Sequence, residues 1–183
     1  HPPASYESIV AIIATSEGLS RREIGRHMWA LTRPMWNMAR NDFRNLYEKL
    51  PGDKPDFDTI WRVAGGNPRV LKLLYESNWV KEGLIVDIVE GRRLRTLIES
   101  LGRQERDGLQ EALENPDVLY RKELIPLLDK LIHANLVVEL YPRDYPHWID
   151  TPPPDFDREL GIGRHVAWQT PLHREAIRRA LAS

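Results

Sequence analysis

Residues 63–74, VAGGNPRVLKLL, place two glycines, an asparagine and a proline directly ahead of an arginine and a run of leucines. Glycine ends helices because it adopts left-handed backbone without strain, and proline opens them because it needs no amide partner in the first turn. Gly65-Gly66 therefore closes one helix and Pro68 begins the next. A helix that starts this way offers free N–H donors and a positive dipole end. Arg69 adds a permanent charge whose forked donors suit phosphate. Two readings stay open at this point. In one, the loop holds an edge of a nucleotide; in the other, which composition alone favours, it is punctuation between helices and Arg69 is solvated.

Outward from this stretch the pattern is helical. Asp56-Phe57-Asp58 leads into a short helix carrying Ile60, Trp61 and Val63. On the other side Val70, Leu71, Leu73, Leu74, Asn78 and Trp79 recur at helical spacing. Upstream, Arg33-Pro34 opens a segment with helical periodicity from Met35 to Leu50, closed by Pro51-Gly52. Further back, Ile9–Ala14 is a short continuous apolar run followed by Thr15-Ser16-Glu17-Gly18, as a buried strand would be. No second strand of that kind follows it, and a lone parallel strand cannot satisfy its backbone groups.

Downstream, helices are expected over 91–101, 103–114 and 121–134, then a strand over 136–141. A second strand fits 161–168 and a terminal helix 171–181. Residues 142–154 hold five prolines in thirteen positions and must be extended or irregular. Three helices followed by two strands is the order of a winged helix-turn-helix with a long wing over 141–163. The expected fold class is mainly α, with a helical lid subdomain preceding a winged helix-turn-helix domain. The expected division is 1–90, a strand plus lid, and 91–183, a winged helix with a proline-rich wing.

Composition bounds the chemistry. The chain has 183 residues, a formal net charge of −1 and no cysteine. No global field drives it onto nucleic acid, and thiol catalysis, disulfides and Cys-ligated metal are excluded. The longest apolar run is too short to span a bilayer and has no leader character, which together with the absent cysteines suggests the cytoplasm. The six histidines form no metal-binding motif, so no metal site is expected.

Taken together, G-G-N-P-R-V-L-K-L-L resembles the glycine–any–proline motif in the lid of STAND-type P-loop ATPases, the archaeal branch of AAA+-related NTPases. Ile9–Ser16 is similar to that family's strand ending in a small polar sensor. Gly25-Arg26 resembles its Gly-Arg, Arg33–Leu50 its proline-led lid helix, and Trp168–Glu175 the close of its winged domain. The resemblance implies that Pro68 lies against adenine and that Arg69 sits where a sensor-2 arginine approaches the phosphates. It implies that Thr15 or Ser16 is sensor 1, and that Arg26 is a further arginine touching phosphate.

The departure from the family is large. There is no G-x-x-x-x-G-K-[ST] and no strand ending in paired acids. Phosphoryl transfer depends on the positioning and charge neutralisation those motifs supply. The chain alone is therefore not expected to hydrolyse ATP. The expectation is the C-terminal half of a nucleotide-dependent regulator. ATP and Mg²⁺ would then be cofactors of the longer protein, and the partner would be an N-terminal nucleotide-binding domain outside this sequence.

The alternative is a winged-helix DNA-binding protein with an N-terminal helical dimerisation or partner module. Its basic residues would be Arg164, Arg174, Arg178 and Arg179. The expected reading helix carries Glu123 and Asp129 on its outer face, which repel phosphate, so duplex DNA is not favoured. Trp148, in the wing segment Tyr145–Ile149, could dock a protein partner or fold back on its own domain; both readings stand.

Overall fold

The computed structural model describes residues 12–14, 23–24, 32–143 and 147–183. Among these the chain is mainly helical, with two short strands. The helices are α1 (Arg40–Glu48), α2 (Phe57–Ala64), α3 (Pro68–Glu76), α4 (Lys81–Gly91), α5 (Leu94–Glu99), α6 (Arg103–Ala112), α7 (Ile125–His133) and α8 (Pro171–Leu181). Two 3₁₀ turns, Pro116–Tyr120 and Lys122–Leu124, lie between α6 and α7. Strands β1 (Val137–Glu139) and β2 (Val166–Trp168) pair antiparallel, with Val137 opposite Trp168.

Local chemistry sets most of these boundaries. Asp56 caps α2 by accepting from the N–H groups of Asp58 and Thr59. Such caps satisfy donors that the first turn otherwise leaves orphaned. Thr170 does the same for α8, accepting from His173 N–H, with Pro171 at the first helical position. Pro126 has the opposite effect on the expected helix 121–134. Its missing N–H and fixed φ are tolerated only in a first turn, so α7 begins at Ile125 and residues 122–124 form a separate 3₁₀ turn. Likewise Arg93, at φ 49°, breaks the expected helix 91–101, and α5 starts only at Leu94.

The expected helix over Arg33–Leu50 is also shorter, beginning at Arg40. Residues 33–39 are bound elsewhere. Met38 N–H donates to the Gly66 carbonyl at 3.0 Å, and the Pro34 carbonyl accepts from Ile149 N–H at 2.9 Å. Met35 and Ile149 form an isolated parallel bridge. Backbone groups committed to remote partners cannot also close helical turns. A buried strand was expected at Ile9–Ala14, but Ile12–Ala14, the described part of it, carries no strand. Ile12 and Ile13 are 92% and 81% exposed. No described strand lies beside them to accept their backbone groups.

The larger hydrophobic cluster includes buried residues from Phe43 to Ala180. Its centre is α8, which packs on α2, α4, α5 and β2. Leu172, Ala176, Ile177 and Ala180 form its buried stripe at helical spacing. Burying a leucine or isoleucine side chain contributes about 1.5–3 kcal/mol, so this stripe ties α8 to helices far from it in sequence. Aromatic packing closes the α1–α2 end: Phe43 is fully buried and meets Trp61 edge-on at 5.6 Å between ring centroids.

A second, smaller cluster holds Leu140, Trp148, Leu160, Ile162 and Ala167, with Trp36, Trp61 and Val138 against it. Trp148 is 2% exposed and meets Trp36 edge-on at 6.2 Å. Of the two readings of Trp148, the structure takes the second: the segment that carries it folds back on the molecule. Arg143 pins it there. Its guanidinium donates to the carbonyls of Arg164 (2.9 Å), Gly163 (2.7 Å), Pro153 (3.2 Å) and Pro154 (2.5 Å).

Candidate functional site at the start of α3

The glycine pair has a structural task. Gly65 closes α2 at φ 58°, its N–H donating to the Trp61 carbonyl at 2.8 Å. A Cβ here would lie 2.6 Å from Pro171 Cδ. Gly66, at φ 80°, presses so closely on the Met38 carbonyl that a Cβ would overlap it. Both glycines are buried against protein, so they answer to close backbone approach as well as to helix termination.

Asn67 then caps α3. Its Oδ1 accepts from Arg69 N–H at 3.0 Å and Val70 N–H at 3.1 Å. Pro68 and Arg69 follow, both exposed. Arg69 has no carboxylate partner among the described residues, although exposed arginines such as Arg40, Arg62 and Arg158 do. One further cation is coupled to Arg69, and a histidine is coupled to that cation in turn. Arg92, at the end of α4, has its pKa lowered by burial and then by the charge of Arg69. Its Nη1 donates to the Ala134 carbonyl. His173, in the first turn of α8, is pushed from 6.5 down to about 4 by burial and then by Arg92. Its Nδ1 shares a 2.8 Å hydrogen bond with the Thr170 hydroxyl.

Arg69 and Arg92 thus set two positive charges close enough to repel near the start of α3, while Asn67 takes up the N–H groups of its first turn. Such a surface favours an anion. Sequence reasoning found Pro68 and Arg69 from the motif. It noted Arg92 and His173 only as members of basic clusters and gave them no part here, because they lie some 20 and 100 positions further along the chain. The remaining expected nucleotide contacts, Thr15, Ser16 and Arg26, lie outside the described residues.

The four arginines of the DNA-binding alternative are not equivalent. Arg174 donates to the carbonyls of Arg158 (2.7 Å) and Glu159 (2.6 Å), and its Nε is buried without a partner. Arg178 pairs with Glu175 and Glu114. Arg164 and Arg179 are exposed. Among the described residues no group of three or more His, Asp or Glu side chains is placed to hold a metal ion. No helix among them is long and apolar enough to cross a membrane.

Comparison with known proteins places part of this chain. Residues 1–74 match a family described as an ATPase domain predominantly from Archaea. The match takes in the glycine-proline motif and ends within α3. It supports an archaeal-type ATPase family and an ATPase-related domain in this part of the chain. No curated protein matches the chain. No solved structure matches it.

Proposed function

We propose that this chain is the lid and winged-helix portion of an archaeal STAND-type regulatory ATPase, sensing nucleotide at the start of α3 and relaying it to a partner. One observation carries the reading. The match to an archaeal ATPase domain runs into the α3 motif, and there Pro68 and Arg69 stand exposed at a helix N-terminus. In this reading Pro68 packs on the adenine and Arg69 neutralises charge on the terminal phosphates. Arg92 strengthens the field at the same place. Thr15 or Ser16 reads the γ-phosphate, and Arg26 adds a further phosphate contact. ATP and Mg²⁺ belong to the longer protein, where a nucleotide-binding domain supplies the phosphate loop and the paired acids these 183 residues lack.

The segment from α6 to α8 then acts as the winged helix, within a second part spanning 91–183. The wing is a route to a protein partner, through its exposed Tyr141 and Phe156 rather than through Trp148. Duplex DNA is the weaker candidate, because Arg174 and Arg178 are engaged internally. A cytoplasmic location accords with a cysteine-free nucleotide-dependent switch.

The test begins with the DNA upstream of the His1 codon, which should encode G-x-x-x-x-G-K-[ST] in frame. In the protein carrying that motif, Arg69→Ala should weaken ATP binding about tenfold or more, the scale of one lost charged hydrogen bond. Arg179→Ala should leave it unchanged. An upstream reading frame without a phosphate loop, or equal ATP affinity in Arg69→Ala and the parent, overturns the reading.

A further inference from the structure

The loop that begins α3 is joined to a distant turn by a row of side-chain amides. Asn67 Nδ2 donates to Asn37 Oδ1 at 3.0 Å. Asn37 Nδ2 donates to the Gln169 carbonyl at 3.4 Å. Gln169 Nε2 donates to Asn135 Oδ1 at 2.9 Å, and Gln169 N–H donates to the Leu136 carbonyl at 2.9 Å. The row therefore starts at the cap of α3, crosses the extended segment 33–39, passes the β2–α8 turn and ends at the α7–β1 turn.

The direction of the row is fixed at both ends. Asn67 must turn its oxygen to the amides of Arg69 and Val70, which leaves only its NH₂ for Asn37. Gln169 presents a carbonyl, which can only accept. Asn37 is caught between a donor and an acceptor, so it must offer oxygen to one and NH₂ to the other. A carboxylate, a hydroxyl or an apolar side chain cannot do both at this span. The backbone beside the row has no slack: Gly66 is pressed on Met38 and Gly65 on Pro171.

We propose that Asn37 is a positioning residue that couples the α3 N-terminus to the β2–α8 and α7–β1 turns. Movement of the Gly65–Pro68 loop is passed through it to the elements that hold β1, β2 and α8. This deepens the reading of the α3 N-terminus as a nucleotide sensor and rests on it for its purpose, but the coupling itself is a property of the free chain.

The test uses the 183-residue chain without nucleotide. Asn67→Asp keeps a good helix cap while removing the donor to Asn37, so the chain retains α3. Amide hydrogen exchange is then followed at 134–136 and 169–170. Asn67→Asp should speed exchange there by roughly threefold or more, the lower range of measured couplings between contacting residues. In an Asn37→Leu background the same substitution should change those peptides by less than half as much. If Asn37→Leu does not fold, Asn37→Ser, which is too short to bridge both partners, takes its place with the same expectation. An equal effect of Asn67→Asp in both backgrounds, or none in the parent, overturns the coupling. Because no nucleotide is added, neither result depends on whether Arg69 meets a phosphate.

Discussion

Gly65 and Pro171 touch across 106 positions of sequence, so closely that a methyl group on Gly65 would sit 2.6 Å from the proline ring. The contact fastens the end of α2 to the start of α8. It also explains why the loop before α3 must be built of glycine rather than merely of turn-forming residues.

The neighbouring Gly66 allows steric and conformational costs to be separated. Gly66→Ala forces a Cβ into the Met38 carbonyl at φ 80°. Gly52→Ala meets the same backbone problem, at φ 83°, with nothing within 4 Å. Left-handed backbone costs a non-glycine residue about 1–2 kcal/mol. Gly52→Ala should lose about 1 kcal/mol in urea unfolding, and Gly66→Ala about 3 kcal/mol once the clash is included. Equal losses would show that the Met38 contact gives way freely.

Acid should destabilise the molecule through His173. Its folded pKa, about 4, lies below the ordinary 6.5 because burial and Arg92 disfavour the imidazolium. As pH falls from about 6.5 towards 4, the unfolded chain takes up the proton first, and stability is lost across that window. Below about 4 both states are protonated and this contribution is exhausted. The full effect is at most about 3 kcal/mol. In His173→Gln, the fall in urea midpoint between pH 7 and 4.5 should be smaller than in the parent. A parallel fall in both proteins would place the acid sensitivity elsewhere.

Arg143 should be intolerant of lysine. Its guanidinium reaches four carbonyls at once, whereas an ammonium is a point donor that cannot span them. Arg143→Lys should cost about 2 kcal/mol and should speed limited proteolysis between residues 141 and 163. Arg179→Lys, an exposed change, should remain within about 0.5 kcal/mol.

Much of the helical framework was legible because its determinants are local. Gly65-Gly66, Asn67 and Pro68 mark a boundary by their own backbone preferences, and α3 starts at Pro68 as they require. The stripe Leu172, Ala176, Ile177 and Ala180 sets α8 at 171–181. The extended run 33–39 was not legible. Its periodicity is helical, but its hydrogen-bond partners are Gly66 and Ile149, and local pattern carries no record of them. The same holds at the candidate site. Arg69 was visible through its motif, whereas Arg92, His173 and Asn37 acquire their meaning only from groups that folding brings beside them. Asn37 in particular is one asparagine among apolar neighbours, with no spacing signal to mark it.

The central place of α8 has a consequence for how the molecule is made. The helix that fills the middle of the core is synthesised after every element it packs on, and it covers side chains of α4 and α5 made some eighty residues earlier. Until it arrives, the apolar faces of α4 and α5 that it covers stay open, with only α3 packed on α4 and α4 on α5 to shield them in part. Contacts this distant in sequence form slowly and leave sticky intermediates. The nascent polypeptide therefore passes through a vulnerable interval in which it is a natural client for chaperones, and removing α8 should yield aggregation in the cell rather than a smaller soluble product.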